Sequence, residues 1–246
     1  MLFKRNLRPP IAVDAHKYSR GVVAIAAGSS KFPGAALLTV AGARHGGAGY
    51  VKFLPPDRRV ADLVISQFPD VVPISTLMRE RCDAIVIGPG GATVRKIPEL
   101  IPLVLDSSAL PLARKSREGI TVVTPHEGEL SLLGYQRGER DSLATQISKE
   151  LGVIVVLKGP KTLVASAGNK TFIDAIGGSE LATAGSGDIL AGIIGSMLAS
   201  WKPRDSAGAH HVVCQAVELH SRAGRRAAEK YRSVTAREIA ESLPLV

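Results

Sequence analysis

Short, uninterrupted apolar runs limit the folds open to this chain more than any other feature. They fall at residues 21–26, 50–54, 83–88, 103–106, 120–125 and 153–159, with a weaker run at 71–74. A strand with one face in water alternates apolar and polar residues, so a run with no polar face belongs to a strand covered on both sides. Helical patterns separate the runs, as where Pro33-Gly34-Ala35-Ala36-Leu37-Leu38 follows a turn at Gly28-Ser29-Ser30. A mostly parallel sheet with helices on both faces is expected. Residues 162–166 and 170–174, joined by Ala167-Gly168-Asn169, read as a hairpin that adds an antiparallel edge. Three helices close the chain: one after Asp188, one across residues 205–231, and one opened by Thr235 with Glu238 three positions on, a capping-box pattern. The 246 residues, 45% of them hydrophobic, suit a single α/β domain with residues 1–15 as an N-terminal extension.

Ligands of such sheets sit beyond the carboxyl ends of the strands. The turns expected there are Gly28-Ser29-Ser30, Gly88-Pro89-Gly90-Gly91, Asp106-Ser107-Ser108, Thr124-Pro125-His126-Glu127 and Lys158-Gly159. A further stretch, Ala182-Thr183-Ala184-Gly185-Ser186-Gly187-Asp188, reads as a loop entering a helix whose buried stripe is Ile189, Leu190, Ile193, Ile194, Met197 and Leu198. Helix N-termini offer unpaired N–H donors and a partial positive charge. Asp188 there is either a helix-stabilising acid or an acid/base beside an anion hole. Lys158-Gly159-Pro160-Lys161-Thr162 suits a nucleotide's phosphates, or is an ordinary basic hairpin turn. Glu127 and Glu129 start a helix on the simpler reading, and His211 and His220 are helix residues. Neither a Walker-type loop nor a dinucleotide glycine fingerprint is present, and no histidine pair has metal-ligand spacing.

Bulk properties narrow the partners. The net charge of +9 favours polyanions, but aromatics at 4% are thin for base stacking. The densest basic cluster, Arg222, Arg225, Arg226, Lys230 and Arg232, reads as a solvated helix face, with nucleic-acid binding as the lesser alternative. Cys82 and Cys214 show no framework spacing and read as small core residues, which points to the cytoplasm. No apolar run is long enough to span a membrane, and the basic first ten residues have no apolar core behind them, unlike a secretory signal.

The T-P-H-x-G-E element at 124–129, the A-G-S-G-D element at 184–188 and Leu157-Lys158-Gly159 resemble the signatures of the ATP/ADP-dependent NAD(P)H-hydrate dehydratases. His16-Lys17, Ala27-Gly28-Ser29, Pro33-Gly34-Ala35 and Gly88-Pro89-Gly90 extend the resemblance over nearly the whole chain. It implies a ribokinase-like three-layer α/β fold. It also implies a repair reaction, in which ATP or ADP phosphorylates the ring hydroxyl of hydrated NADH or NADPH and loss of phosphate restores the reduced cofactor. By that resemblance Asp188 is the base, and the 185–187 amides of Gly185, Ser186 and Gly187 hold the phosphoryl charge. Ala35 or Ala36, Gly90, His126 and Asp188 contact the hydrated cofactor. Lys158, Gly159, Pro160, Lys161, Thr162 and Gly187 contact the nucleotide. Mg²⁺ is implied by the phosphate chemistry, with no ligand cluster assigned. The expected partners are the two substrates, further copies of the chain in a homo-oligomer such as a tetramer, and an epimerase on a separate chain. Neither nucleic acid nor membrane is expected.

Three positions depart from the family pattern. Asp106-Ser107-Ser108 stands where D-A-D is usual, Ala92 replaces a glycine, and Gly177-Gly178-Ser179-Glu180 stands where G-N-P-G is common. A kinase of a small alcohol, such as hydroxyethylthiazole or a pyrimidine vitamin precursor, would use the same Asp188. A non-catalytic nucleotide or nucleic-acid binder would not need it.

Overall fold

The computed structural model describes residues 6–246. The first five residues, part of the expected extension and of the basic opening segment, lie outside the described residues. In chain order the elements are β1 (Val22–Ala26), α1 (Pro33–His45), β2 (Tyr50–Phe53), α2 (Arg58–Gln67), β3 (Val72–Pro73), β4 (Ala84–Ile87), β5 (Leu103–Leu105), β6 (Thr121–Val123), α3 (Arg140–Leu151), β7 (Ile154–Leu157), β8 (Leu163–Ala165), β9 (Phe172–Ile173), α4 (Ser186–Trp201), α5 (Ser206–Lys230) and α6 (Ala236–Ser242).

The strands form one sheet in the order β3-β2-β1-β4-β5-β6-β7-β8-β9. Pairing is parallel from β3 through β7 and antiparallel at β7–β8 and β8–β9, as the apolar runs and the hairpin predict. Side chains of each strand divide between two cores with period two. In β1, Val23 and Ile25 enter one core while Ala24 and Ala26 enter the other. The first core is closed by residues of α1, α2, α4, α5 and α6, the second by α3 and two 3-10 segments, Ser107–Arg114 and Glu127–Leu133. Three layers result.

α4 is apolar almost all round because it is buried almost all round. Glycines let it lie flat. A Cβ at Gly192 would sit 2.0 Å from the Thr39 carbonyl oxygen of α1, and one at Gly195 would sit 2.2 Å from Val86 of β4. Gly42 of α1 meets the Ile189 carbonyl in the same way, at 2.3 Å from a built Cβ. Backbone-to-backbone contact along this seam fixes where α4 begins, and hence where its N-terminal turn points.

Glu127 and Glu129 start a helix, as read from the sequence; it is of the 3-10 type, and Gly134 at φ +90° ends it. Of the basic cluster, Arg225, Arg226, Lys230 and Arg232 are exposed, as a solvated face requires; Arg222 alone is buried and pairs with Glu218, while Arg225 also donates to the Ile176 carbonyl at 2.7 Å. Long side chains on a helix can lie along the protein instead of extending into water. Both cysteines are partly buried, and burial lifts their thiols to about 11 for Cys82 and about 12 for Cys214. The Thr235 cap forms, with Glu238 accepting the Thr235 N–H at 2.8 Å. No helix among the described residues is long and apolar enough to cross a membrane.

Candidate active site

A cavity of about 780 Å³ opens at the carboxyl edge of the sheet. Successive strand-end turns line it: Gly90 after β4, Asp106 and Ser107 after β5, His126 and Glu129 after β6, and Lys158 to Pro160 after β7. The N-terminal turn of α4, with Gly185, Ser186, Gly187 and Asp188, forms the facing wall. Thr162, Asp174, Ser179 and Thr183 extend it along the antiparallel edge, and His220 of α5 reaches it from below.

Glycines allow the turns to stack. Gly88 has φ +114°, and a Cβ there would lie 1.8 Å from the Asp106 carbonyl oxygen. Gly90, at φ +67°, packs against Ala35 at the start of α1, and Ser29 donates to the Gly90 carbonyl at 2.7 Å. The β6 and β7 ends are joined by a bridge between His126 and Lys158, in which Lys158 N–H donates to the Pro125 carbonyl at 2.8 Å. His126 caps the turn that follows, its Nδ1 accepting from Gly128 N–H at 3.0 Å. Glu129 accepts from His126 N–H at 3.0 Å, completing a capping box. Nδ1 is therefore the acceptor, which leaves the ring proton on Nε2.

Charges converge on Lys158. Its Nζ lies 2.7 Å from Asp106 Oδ1, which also accepts from Thr124 Oγ1 at 2.6 Å, and 3.7 Å from Glu129 Oε2. Burial alone would lower the Lys158 ammonium, but Asp106, Glu129 and Asp188 outweigh it and raise its pKa. The Asp188 carboxyl is pushed up to about 7, first by burial and then by Asp106 and Glu129, with Lys158 opposing. An acid with a pKa at the working pH can accept a proton and return it, as a general base requires. His220 is driven down to about 4 by burial and is neutral, and its Nε2 lies 3.1 Å from Ser186 Oγ.

The start of α4 is tightly built. Gly185 has φ +89°, and a Cβ there would be 2.2 Å from Leu38 of α1. Ser186 N–H turns back to the Thr183 carbonyl at 3.2 Å, so this amide is occupied within the protein. Of the three amides expected to form the anion hole, that of Ser186 is the one engaged within the protein. Gly187 also faces Lys158, whose Nζ is 3.3 Å from where a Cβ would be.

Of the residues singled out in the sequence, Gly90, His126, Lys158, Gly159, Pro160, Thr162, Gly185, Ser186, Gly187 and Asp188 line the cavity. Ala35, Ala36 and Lys161 do not; Ala36 is wholly enclosed in the core, where α1 meets the sheet. His16 and Lys17 lie at the amino end of the sheet, where Lys17 stacks over Tyr50 at 4.7 Å. Asp174 and His220 line the cavity without a sequence signal; a histidine on an apolar helical stripe reads as core. Among the described residues, no group of three or more His, Cys, Asp or Glu side chains is arranged to hold a metal ion.

The comparisons agree with this architecture. A ribokinase-like protein from Enterococcus faecalis superposes with a TM-score of 0.84 at 25% identity, over 97% of this chain and 90% of that one. The ADP/ATP-dependent NAD(P)H-hydrate dehydratase of Bacillus subtilis, co-crystallised with ATP and Mg²⁺, does so at 0.83 and 28% identity, over 96% and 92%. The bifunctional NAD(P)H-hydrate repair enzyme of Mycobacterium tuberculosis is 34% identical over 210 residues, covering 78% of this chain and 44% of its own. The chain thus spans about half the length of the curated relatives it first matches, 44% to 47% of each. The family model described as NAD(P)H-hydrate dehydratase matches residues 23–245. With its fold ribokinase-like and that match running from β1 to the C-terminal turn, the chain belongs to the NAD(P)H-hydrate dehydratase family.

Proposed function

We propose that this protein dehydrates hydrated NADH or NADPH to the reduced cofactor at the expense of ATP or ADP. One observation carries the reading: Asp188, its carboxyl raised to about 7, stands at a helix N-terminus beside Lys158, in the cavity that also presents the His126 motif. Asp188 removes the proton of the ring hydroxyl as its oxygen attacks the terminal phosphorus of the nucleotide. The bond from that phosphorus to the bridging oxygen breaks, leaving the nucleotide shorter by one phosphate. The C–O bond of the phosphate ester then breaks, the neighbouring carbon loses a proton, and the ring double bond returns. Phosphate and one net proton are released.

In this reading Lys158, and the Gly187 and Asp188 amides, stabilise the transferring phosphoryl group. The 158–162 turn holds the nucleotide, while Gly90 and His126 contact the damaged cofactor. The donors suit Mg²⁺ carried in on phosphates rather than by a protein cage; Asp106 and Glu129 would face it, and it would offset phosphate charge. One catalytic unit, a cytoplasmic location, self-association and an epimerase companion belong to the same proposal.

The test follows nicotinamide absorbance and free phosphate together when hydrated NADH is mixed with the protein and ATP or ADP. Equal rises in both are expected. A phosphate ester of the hydrated cofactor without recovery of absorbance would mean a kinase that lacks the elimination step, and no change in either would overturn the proposal and leave the kinase of a small alcohol.

A further inference from the structure

Arg140 occupies the first position of α3, the end of a helix where a cation is disfavoured by the backbone dipole. Its side chain does not stay there. Nη2 donates to three carbonyls of one turn: Leu157 at 3.1 Å, Lys158 at 3.3 Å and Lys161 at 3.2 Å. Its Nε faces Glu127 Oε1 at 3.4 Å, in the turn that His126 caps. One guanidinium thus ties α3 to both the β7–β8 turn and the His126 turn. At Gly159, in the centre of the clasp, a Cβ would lie 2.4 Å from Arg140 Nη1 and 2.7 Å from Cζ, so a side chain there would displace the guanidinium.

We infer that Arg140 is a positioning residue that holds the 158–162 turn in the shape that receives the phosphate-donor nucleotide. The inference rests on the reading of that turn as a nucleotide site. Two facts support it beyond packing. The clasp grips the main chain of Lys158 itself, whose ammonium sits 2.7 Å from Asp106 at the cavity wall. The clasp also depends on glycine at 159, since a side chain there would push the guanidinium aside, while its φ, outside the left-handed region, makes no such demand.

The test is a double-mutant cycle read by calorimetric binding of ADP and of Mg²⁺-ATP, with nucleotide KM alongside. R140A weakens binding about tenfold, the scale of losing charge-assisted hydrogen bonds. G159A does the same in the parent, because the methyl group displaces the guanidinium. Adding G159A to R140A costs nothing further, since the obstructing group is gone. The loss appears in nucleotide KM rather than in KM for the hydrated cofactor. If R140A does not fold, as judged by its thermal melt, R140K takes its place in the cycle. Additive losses, or G159A binding like the parent, would overturn the inference while leaving the nucleotide site intact. A parent protein that binds neither nucleotide would overturn both the site and the clasp.

Discussion

Replacing Asp188 with asparagine separates the cost of this residue from its use. The carboxyl rises from 3.8 to about 7 on folding. Below pH 4 both folded and unfolded chains hold the proton, and the substitution changes stability little. Between pH 4 and 7 the folded chain keeps a proton that the unfolded chain has lost, so the parent loses stability as pH rises. Above pH 7 the full penalty applies. A shift of about three pH units at about 1.4 kcal/mol each sets a ceiling of about 4 kcal/mol. That shift already contains the opposing attraction of Lys158, and the half-buried carboxyl keeps part of its solvation, so the working figure lies below the ceiling. Asp188→Asn is therefore expected to be about 2–3 kcal/mol more stable than the parent at pH 8, with only about a quarter of that difference left at pH 4.5. In a chain of this size that is a rise of roughly 4–12 °C in Tm. Turnover falls at least about a hundredfold as the general base is lost. The parent's kcat/KM should show an acidic limb near pH 7, losing activity as Asp188 takes up its proton. Urea unfolding at pH 4.5, 6, 7 and 8 measures the stability difference. A difference that does not vary with pH would refute the burial argument, and an unchanged turnover would refute the role of the base.

Ser186→Ala should lower kcat about tenfold with nucleotide KM within about twofold, since it unpins the first turn of α4 from His220 and leaves a buried imidazole nitrogen unpaired; because His220 is already neutral, steady-state kinetics should give the same ratio from pH 5.5 to 8. Gly192→Ala should cost about 3 kcal/mol in urea unfolding, because the methyl group meets the Thr39 carbonyl, a main-chain atom that cannot turn aside. A cost below about 1 kcal/mol would show that the seam has slack. Arg8→Ala should destabilise by about 2–3 kcal/mol, since its guanidinium joins the His45, Leu243 and Val246 carbonyls at 2.5, 2.7 and 2.6 Å. The same variant should keep its kcat, because the clasp lies away from the cavity.

The sheet is legible in the sequence because strands covered on both faces leave no polar residue to confuse the pattern. The antiparallel edge is legible from its glycine turn. Asp188, Lys158 and His126 can be found because each sits at a strand end or helix start, where polar residues interrupt apolar runs. Asp174, His220 and Arg140 cannot. His220 belongs to the same buried stripe as Ala216, Leu219 and Ala223, and only the meeting of α5 with α4 turns it toward Ser186. Arg140 looks like any charged residue at a helix start until β7 and β8 bring three carbonyls to it. The 3-10 segments escape as well. They are too short for a 3.6-residue period to repeat, and Pro111 interrupts one of them. The lost N–H of Ser186 is a tertiary outcome of the same kind: the loop's composition promises three donors, and its fold uses one internally.

The glycine seam between α1 and α4 bears on selectivity. Main chain against main chain leaves nothing to compress, so the α4 end of the cavity cannot yield to a misfitting ligand or tighten around a fitting one. A molecule that binds there meets a wall ordered in advance and loses no affinity to arranging it. Discrimination on that side then rests on a shape and a set of charges fixed in advance. Any adjustment to different nucleotides falls to the 174–183 segment, beyond the short antiparallel strands and outside the Arg140 clasp.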